Sequence, residues 1–122
     1  MACAHRQTGD NVNIATADTY TWFENLPDLM SDIPKDSIVS RTVYKDPTVK
    51  VVLFGFDAGQ SLSEHTAAQP AVIHILSGEG TLTLGAAEKA VHAGTWVHMP
   101  PNLKHSLVAK TPLKMLLLLL NY

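Results

Sequence analysis

The feature that most constrains this chain is a series of short, β-branched apolar runs, each closed by turn-forming residues. Ser37–Lys45 ends at Asp46-Pro47, and Lys50–Asp57 ends at Ala58-Gly59. Ala71–Ser77 and Thr81–Leu84 flank Gly78-Glu79-Gly80, which reads as a hairpin signal. Lys89–His92, Thr95–Met99, His105–Lys110 and Leu113–Asn121 continue the series. Strands of this length at such intervals predict an all-β sandwich or barrel. The run Met115–Leu120 is far short of the roughly 20 apolar residues that cross a bilayer. It reads instead as a strand buried on both faces.

A chain of 122 residues is of ordinary single-core size. The expected organisation is a flexible tail over 1–17 and one domain over 18–122, with an N-terminal arm at 18–36 and the barrel at 37–121. Within the arm, Trp22, Phe23, Leu26 and Leu29 have near-helical spacing, but Pro27 limits any helix to a short turn. The arm is expected to pack its aromatics against the body, or to embrace a partner subunit. Hydrophobic residues make up 46% of the chain and charged ones 16%, which excludes intrinsic disorder. A net charge of −2 offers no basic stripe for nucleic acid or an anionic membrane. The start lacks the apolar stretch of a secretory leader, so the expected location is cytoplasmic. The single cysteine, Cys3, builds no disulfide framework, and no glycine-rich phosphate loop or Ser-His-Asp set is present.

Six histidines are the unusual part of the composition. His65 follows the Gly59 turn, and His105 follows Pro100-Pro101-Asn102. A metal site on such a scaffold needs neutral imidazoles brought together from distant strands. A regular strand places 65, 67, 69 and 71 on one face, which would set Gln69 beside His65 with its amide oxygen inward. His98 is a reserve ligand, whereas His74 has the opposite parity and should face outward. His5 and His92 read as tail and turn residues. Phe54, Phe56, Ile73, Trp96 and Met99 are candidates to line an apolar interior that accepts a small organic ligand.

The region 37–121 resembles the cupin family. Gly59, QSLSE, His65-Thr66-Ala67, AQP, Ala71, VIHILS and Gly78 follow the spacing of the first cupin motif, and LSGEG at Leu76–Gly80 matches its ending. Gly94, TWVHM, Pro100-Pro101-Asn102, LK and His105 follow the second, with Asn102 in place of glycine. Asparagine accepts left-handed backbone angles, so that replacement is tolerable. The resemblance implies a double-stranded β-helix, or jelly-roll barrel, often dimeric. It also implies a divalent transition metal (zinc, iron, nickel or manganese) held by three histidines and a glutamate. Two of those positions are Ala67 and Ala71, which cannot coordinate. What survives is a reduced site of His65 and His105, with Gln69 or His98 as a third ligand. A metal-dependent dioxygenase, isomerase or lyase is one reading. A metal-free ligand-binding or scaffold protein is the other. A small-molecule ligand and a homodimer are expected as partners, with no nucleic acid and no membrane.

Overall fold

The computed structural model describes residues 19–121; the tail at 1–17, with Cys3 and His5, lies outside them. A 3-10 turn at Leu26–Leu29 precedes nine strands: β1 (Ile38–Lys45), β2 (Val49–Phe56), β3 (Ser61–His65), β4 (Ala71–Ser77), β5 (Glu79–Leu84), β6 (Ala87–His92), β7 (Trp96–Met99), β8 (His105–Ala109) and β9 (Leu113–Leu120). They form two antiparallel sheets, of order β1-β2-β9-β4-β7 and β3-β8-β5-β6. The all-β expectation holds, and eight of these strands coincide closely with the apolar runs. Among the described residues no helix is long and apolar enough to cross a membrane.

Alternation along each strand builds the core between the sheets. Phe56, Ile73, Ile75, Met99, Leu113 and Met115 from one sheet meet Leu82, Val91, Leu107 and Ala109 from the other, all buried. A second apolar cluster, centred on Leu53, Leu116 and Met30, lies on the opposite face of the five-stranded sheet. Leu53 and Leu116 are cross-strand partners there. The chain before β1 covers them, with Leu26 and Leu29 packed beside Met30. Arg41 donates to the Leu29 carbonyl at 2.9 Å, and Lys114 donates to the Pro27 carbonyl at 3.0 Å. With charged donors, such bonds contribute up to about 1.5–3 kcal/mol each, comparable to burying one leucine or methionine. Burial and the two cations therefore hold the arm together. Gly55 makes room: a Cβ there would stand 2.5 Å from Met30 Sδ.

Two expectations change. Of the aromatics only Phe23 is half-buried; the arm docks mainly through its aliphatic residues, while Trp22 and Tyr20 stand 69% and 82% exposed. The turn is four residues long, with Pro27 at its start, too short to bring the whole row onto one face. The Gly78-Glu79-Gly80 segment is not a hairpin, because β4 pairs with β7 and β9 whereas β5 pairs with β6 and β8. Gly78, at φ +88°, turns the chain from one sheet to the other, and a Cβ there would run into the Pro112 carbonyl and Leu113.

The β1–β2 turn is organised by one carboxylate. Asp46 accepts from the Tyr44 hydroxyl at 2.6 Å, from the Thr48 amide and hydroxyl at 2.7 Å each, and from the Val49 amide at 2.9 Å. The Tyr44 hydrogen bond first, then those from Thr48, hold the Asp46 carboxyl well below its ordinary value of 3.8. The same contact pushes the Tyr44 hydroxyl up.

Gly78→Ala is expected to cost about 2–3 kcal/mol in urea unfolding, from backbone strain plus collision. Gly59 shares the left-handed geometry, at φ +85°, but has open space around it, so Gly59→Ala should cost about 1 kcal/mol. Equal costs would contradict the packing role of Gly78. Asp46 gives a pH signature. Its folded-state value is depressed, so its contribution is complete above the unfolded value and is lost as pH falls toward the folded one. Asp46→Asn should therefore lower stability at neutral pH, with the gap to wild type shrinking from pH 5 toward pH 2. A gap constant over that range contradicts the assignment.

Candidate metal and ligand site

β3 lies outside the runs that the sequence marks as strands, yet it creates the site. It runs antiparallel to β8 and places His65 directly opposite His105, with a register irregularity between Leu62 and His65. The two rings lie 4.2 Å apart between centroids, tilted by 58°. His105 is 7% exposed and His65 faces solvent, so the pair sits at a rim of the barrel. Leu84 of β5 is the neighbour of His105 on the other side.

Each ring is oriented by the chain two residues before it. His65 Nδ1 lies 2.8 Å from the Ser63 carbonyl oxygen, and His105 Nδ1 lies 2.9 Å from that of Leu103. A carbonyl only accepts, so both Nδ1 atoms carry the proton and each neutral ring keeps its lone pair on Nε2. Metal-binding histidines show this arrangement, with one ring nitrogen tied to a carbonyl and the other free to coordinate. The donor set therefore fits a metal ion as far as two ligands.

The segments next to these two histidines are tied together. Asn102 adopts φ +66°, the left-handed geometry expected of the residue replacing glycine. Its amide donates to the Ala67 carbonyl at 2.7 Å. Ala67 thus contributes its backbone, while Ala71 is buried and paired with Met99 and Leu119.

The other candidate ligands lie elsewhere. Gln69 is exposed in the segment between β3 and β4, and its amide points to Asn121 Oδ1 at 3.5 Å. The strand ends at His65 and β4 lies in the other sheet, so the alternation that would have set Gln69 beside His65 is broken. His98 is exposed on β7 between Val97 and Met99, which face the core, so it points outward. Among the described residues no group of three or more His, Cys, Asp or Glu side chains could hold a metal. His74, as parity required, lies on the outward row of β4, between the core residues Ile73 and Ile75. His92 closes β6, with Nδ1 against the Ala93 carbonyl at 2.9 Å.

The expected pocket lining is mostly core. Phe56, Ile73 and Met99 are buried in the central cluster, with Phe54 packed against it and stacked on Phe56 at 6.0 Å. Trp96 is 61% exposed and stands outside that core. An apolar cleft of about 310 Å³ lies instead under the arm, between Phe23, Leu26, Tyr44 and Val51.

Two sheets in jelly-roll order with a histidine pair at the rim define the class of small β-barrels to which cupins belong. The family model for the cupin domain matches residues 52–119. The chain belongs to the cupin family. It is similar to a conserved protein of unknown function from Streptococcus pyogenes, at 28% identity and TM-score 0.67, over 73% of this chain and 78% of that one. A cupin superfamily protein from Desulfitobacterium hafniense shares the fold at 24% identity and TM-score 0.74, over 80% of this chain and 88% of that one. A mutant salicylate 1,2-dioxygenase from Pseudoaminobacter salicylatoxidans shares it at 16% identity and TM-score 0.63, over 67% of this chain but only 26% of that one. No curated protein matches the chain.

Proposed function

We propose that this chain binds a divalent transition metal between His65 and His105 and receives a small organic ligand at the positions the protein leaves open. The observation that carries this reading is the pair of rings at 4.2 Å, each with its Nδ1 proton fixed on a backbone carbonyl. Imidazole nitrogen suits zinc, iron, nickel and manganese in varying degree. When bound, such an ion supplies Lewis acidity and open coordination positions. The residues of this chain orient the two imidazoles, and Leu84 is the apolar cross-strand neighbour of His105. The fold likeness to a dioxygenase supports oxygen insertion as one reaction for such a site, beside isomerase and lyase chemistry.

A second reading has its own support. With alanine at 67 and 71, Gln69 turned to Asn121, and Phe56, Ile73 and Met99 filling the centre, the barrel could serve as a metal-free binding or scaffold protein. Elemental analysis of protein purified without added metal separates the two. The expected result is a transition metal in wild type that falls at least tenfold in the His65→Ala and His105→Ala variants. If no metal is retained under any loading condition, and chelator leaves the melting temperature unchanged, the metal reading fails. Melting shifts across a panel of small acids and sugars then test the metal-free one.

A further inference from the structure

The two sheets stay unjoined where β6 and β7 meet. β6 pairs only with β5 and β7 only with β4, so each strand ends its own sheet. The turn between them is closed by two hydrogen bonds. The His92 amide donates to the Thr95 hydroxyl at 3.1 Å, and the Thr95 amide donates to the His92 carbonyl at 3.0 Å. The two edges leave a cleft of about 260 Å³, lined by Leu82, Leu84, Val91 and Val97 and bordered by Trp96. Leu82 and Val91 belong to the central core, so the floor of the cleft is the flank of that core. At about 30 Å³ per water, the space admits a ring or a short alkyl chain.

One cation enters this apolar space. Lys89 lines the cleft and stands opposite the buried Leu82 in the β5–β6 register. Cross-strand partners share a face, so the Lys89 side chain leaves the core side of β6. Glu88 alternates to the outer face, opposite Thr83. Arg41 and Lys114 donate to carbonyls of the arm. Among the described residues the Lys89 ammonium has no such partner, and no acid lines the cleft. The Thr95 hydroxyl, which accepts from the His92 amide, keeps its own proton to donate. The cleft under the arm has no comparable anchor, because Thr21, Phe23, Leu26, Tyr44 and Val51 carry no charge.

We infer that the cleft between β6 and β7 binds a small hydrophobic monocarboxylate, its apolar body on Leu82, Val91 and Val97 and its carboxylate on Lys89. The site needs no metal and goes beyond the proposed function, although Leu84 borders both this cleft and His105. Titration of the isotope-labelled full chain with benzoate, followed through amide chemical shifts, tests it. The expected result is saturable shifts at millimolar benzoate, concentrated at 82–91 and 95–97 and unchanged by EDTA or by His65→Ala. Lys89→Met keeps the stem and loses the charge, and should weaken binding at least about tenfold; Lys89→Arg should retain it. Benzyl alcohol keeps the ring without the charge, and should also bind at least about tenfold more weakly. Absence of saturable shifts, or benzyl alcohol binding as well as benzoate, would overturn the inference. Equal affinity in Lys89→Met would overturn it too, and is the result expected if the lysine only guards the β6 edge against strand pairing. So would shifts centred on Phe23 and Tyr44, or binding abolished by EDTA or His65→Ala, which assign the ligand to the arm cleft or to the metal.

Discussion

The structure depends on β9, a strand apolar on both faces and paired on both edges. Leu113, Met115 and the residues alternating with them cannot be dry unless something covers each side of the five-stranded sheet. The four-stranded sheet covers one side and the arm covers the other. Because a fully buried leucine contributes about 1.5–3 kcal/mol, this demand outweighs any of the single hydrogen bonds that decorate it. Gly55, which admits Met30, and Gly78, which lets the chain cross between sheets, are consequences of the same demand.

The histidine pair follows from how the second sheet is assembled. β3 and β8 are brought together by the barrel closure, and the register sets His65 against His105 at the strand ends. Ring orientation then comes from purely local contacts, since each Nδ1 meets the carbonyl two residues earlier. Long-range topology supplies proximity, and local backbone geometry supplies the tautomer. Neither alone would present two Nε2 lone pairs at one rim.

Much of this is legible in the residues. Turn punctuation marks eight strands, the left-handed position of Asn102 is expected from its place in the motif, and the outward face of His74 follows from parity. Expectation and structure part where the pattern is interrupted or too short to read. An inward Gln69 requires the strand from His65 to continue to Ala71, but β3 ends at His65 and β4 belongs to the other sheet. Trp96 and His98 have no fixed face until β7 is set beside β4, because a four-residue strand carries too little pattern to assign its own sides. The 78–80 segment looks like a hairpin because glycine serves sharp reversals within a sheet and crossings between sheets equally well.

The sequence by itself therefore determined the fold class, most strands and the two motif histidines, since these depend on period-two patterning, turn chemistry and spacing along the chain. Only the tertiary structure decided which side chains meet. It paired β3 with β8, turned Gln69 and His98 away from the barrel, and left His74, His98 and Trp96 together on an outer face. Those outcomes rest on register and sheet order among residues far apart in the chain. Local propensity carries no information about them, because the free energy that selects them is released only when both sheets close on a common core.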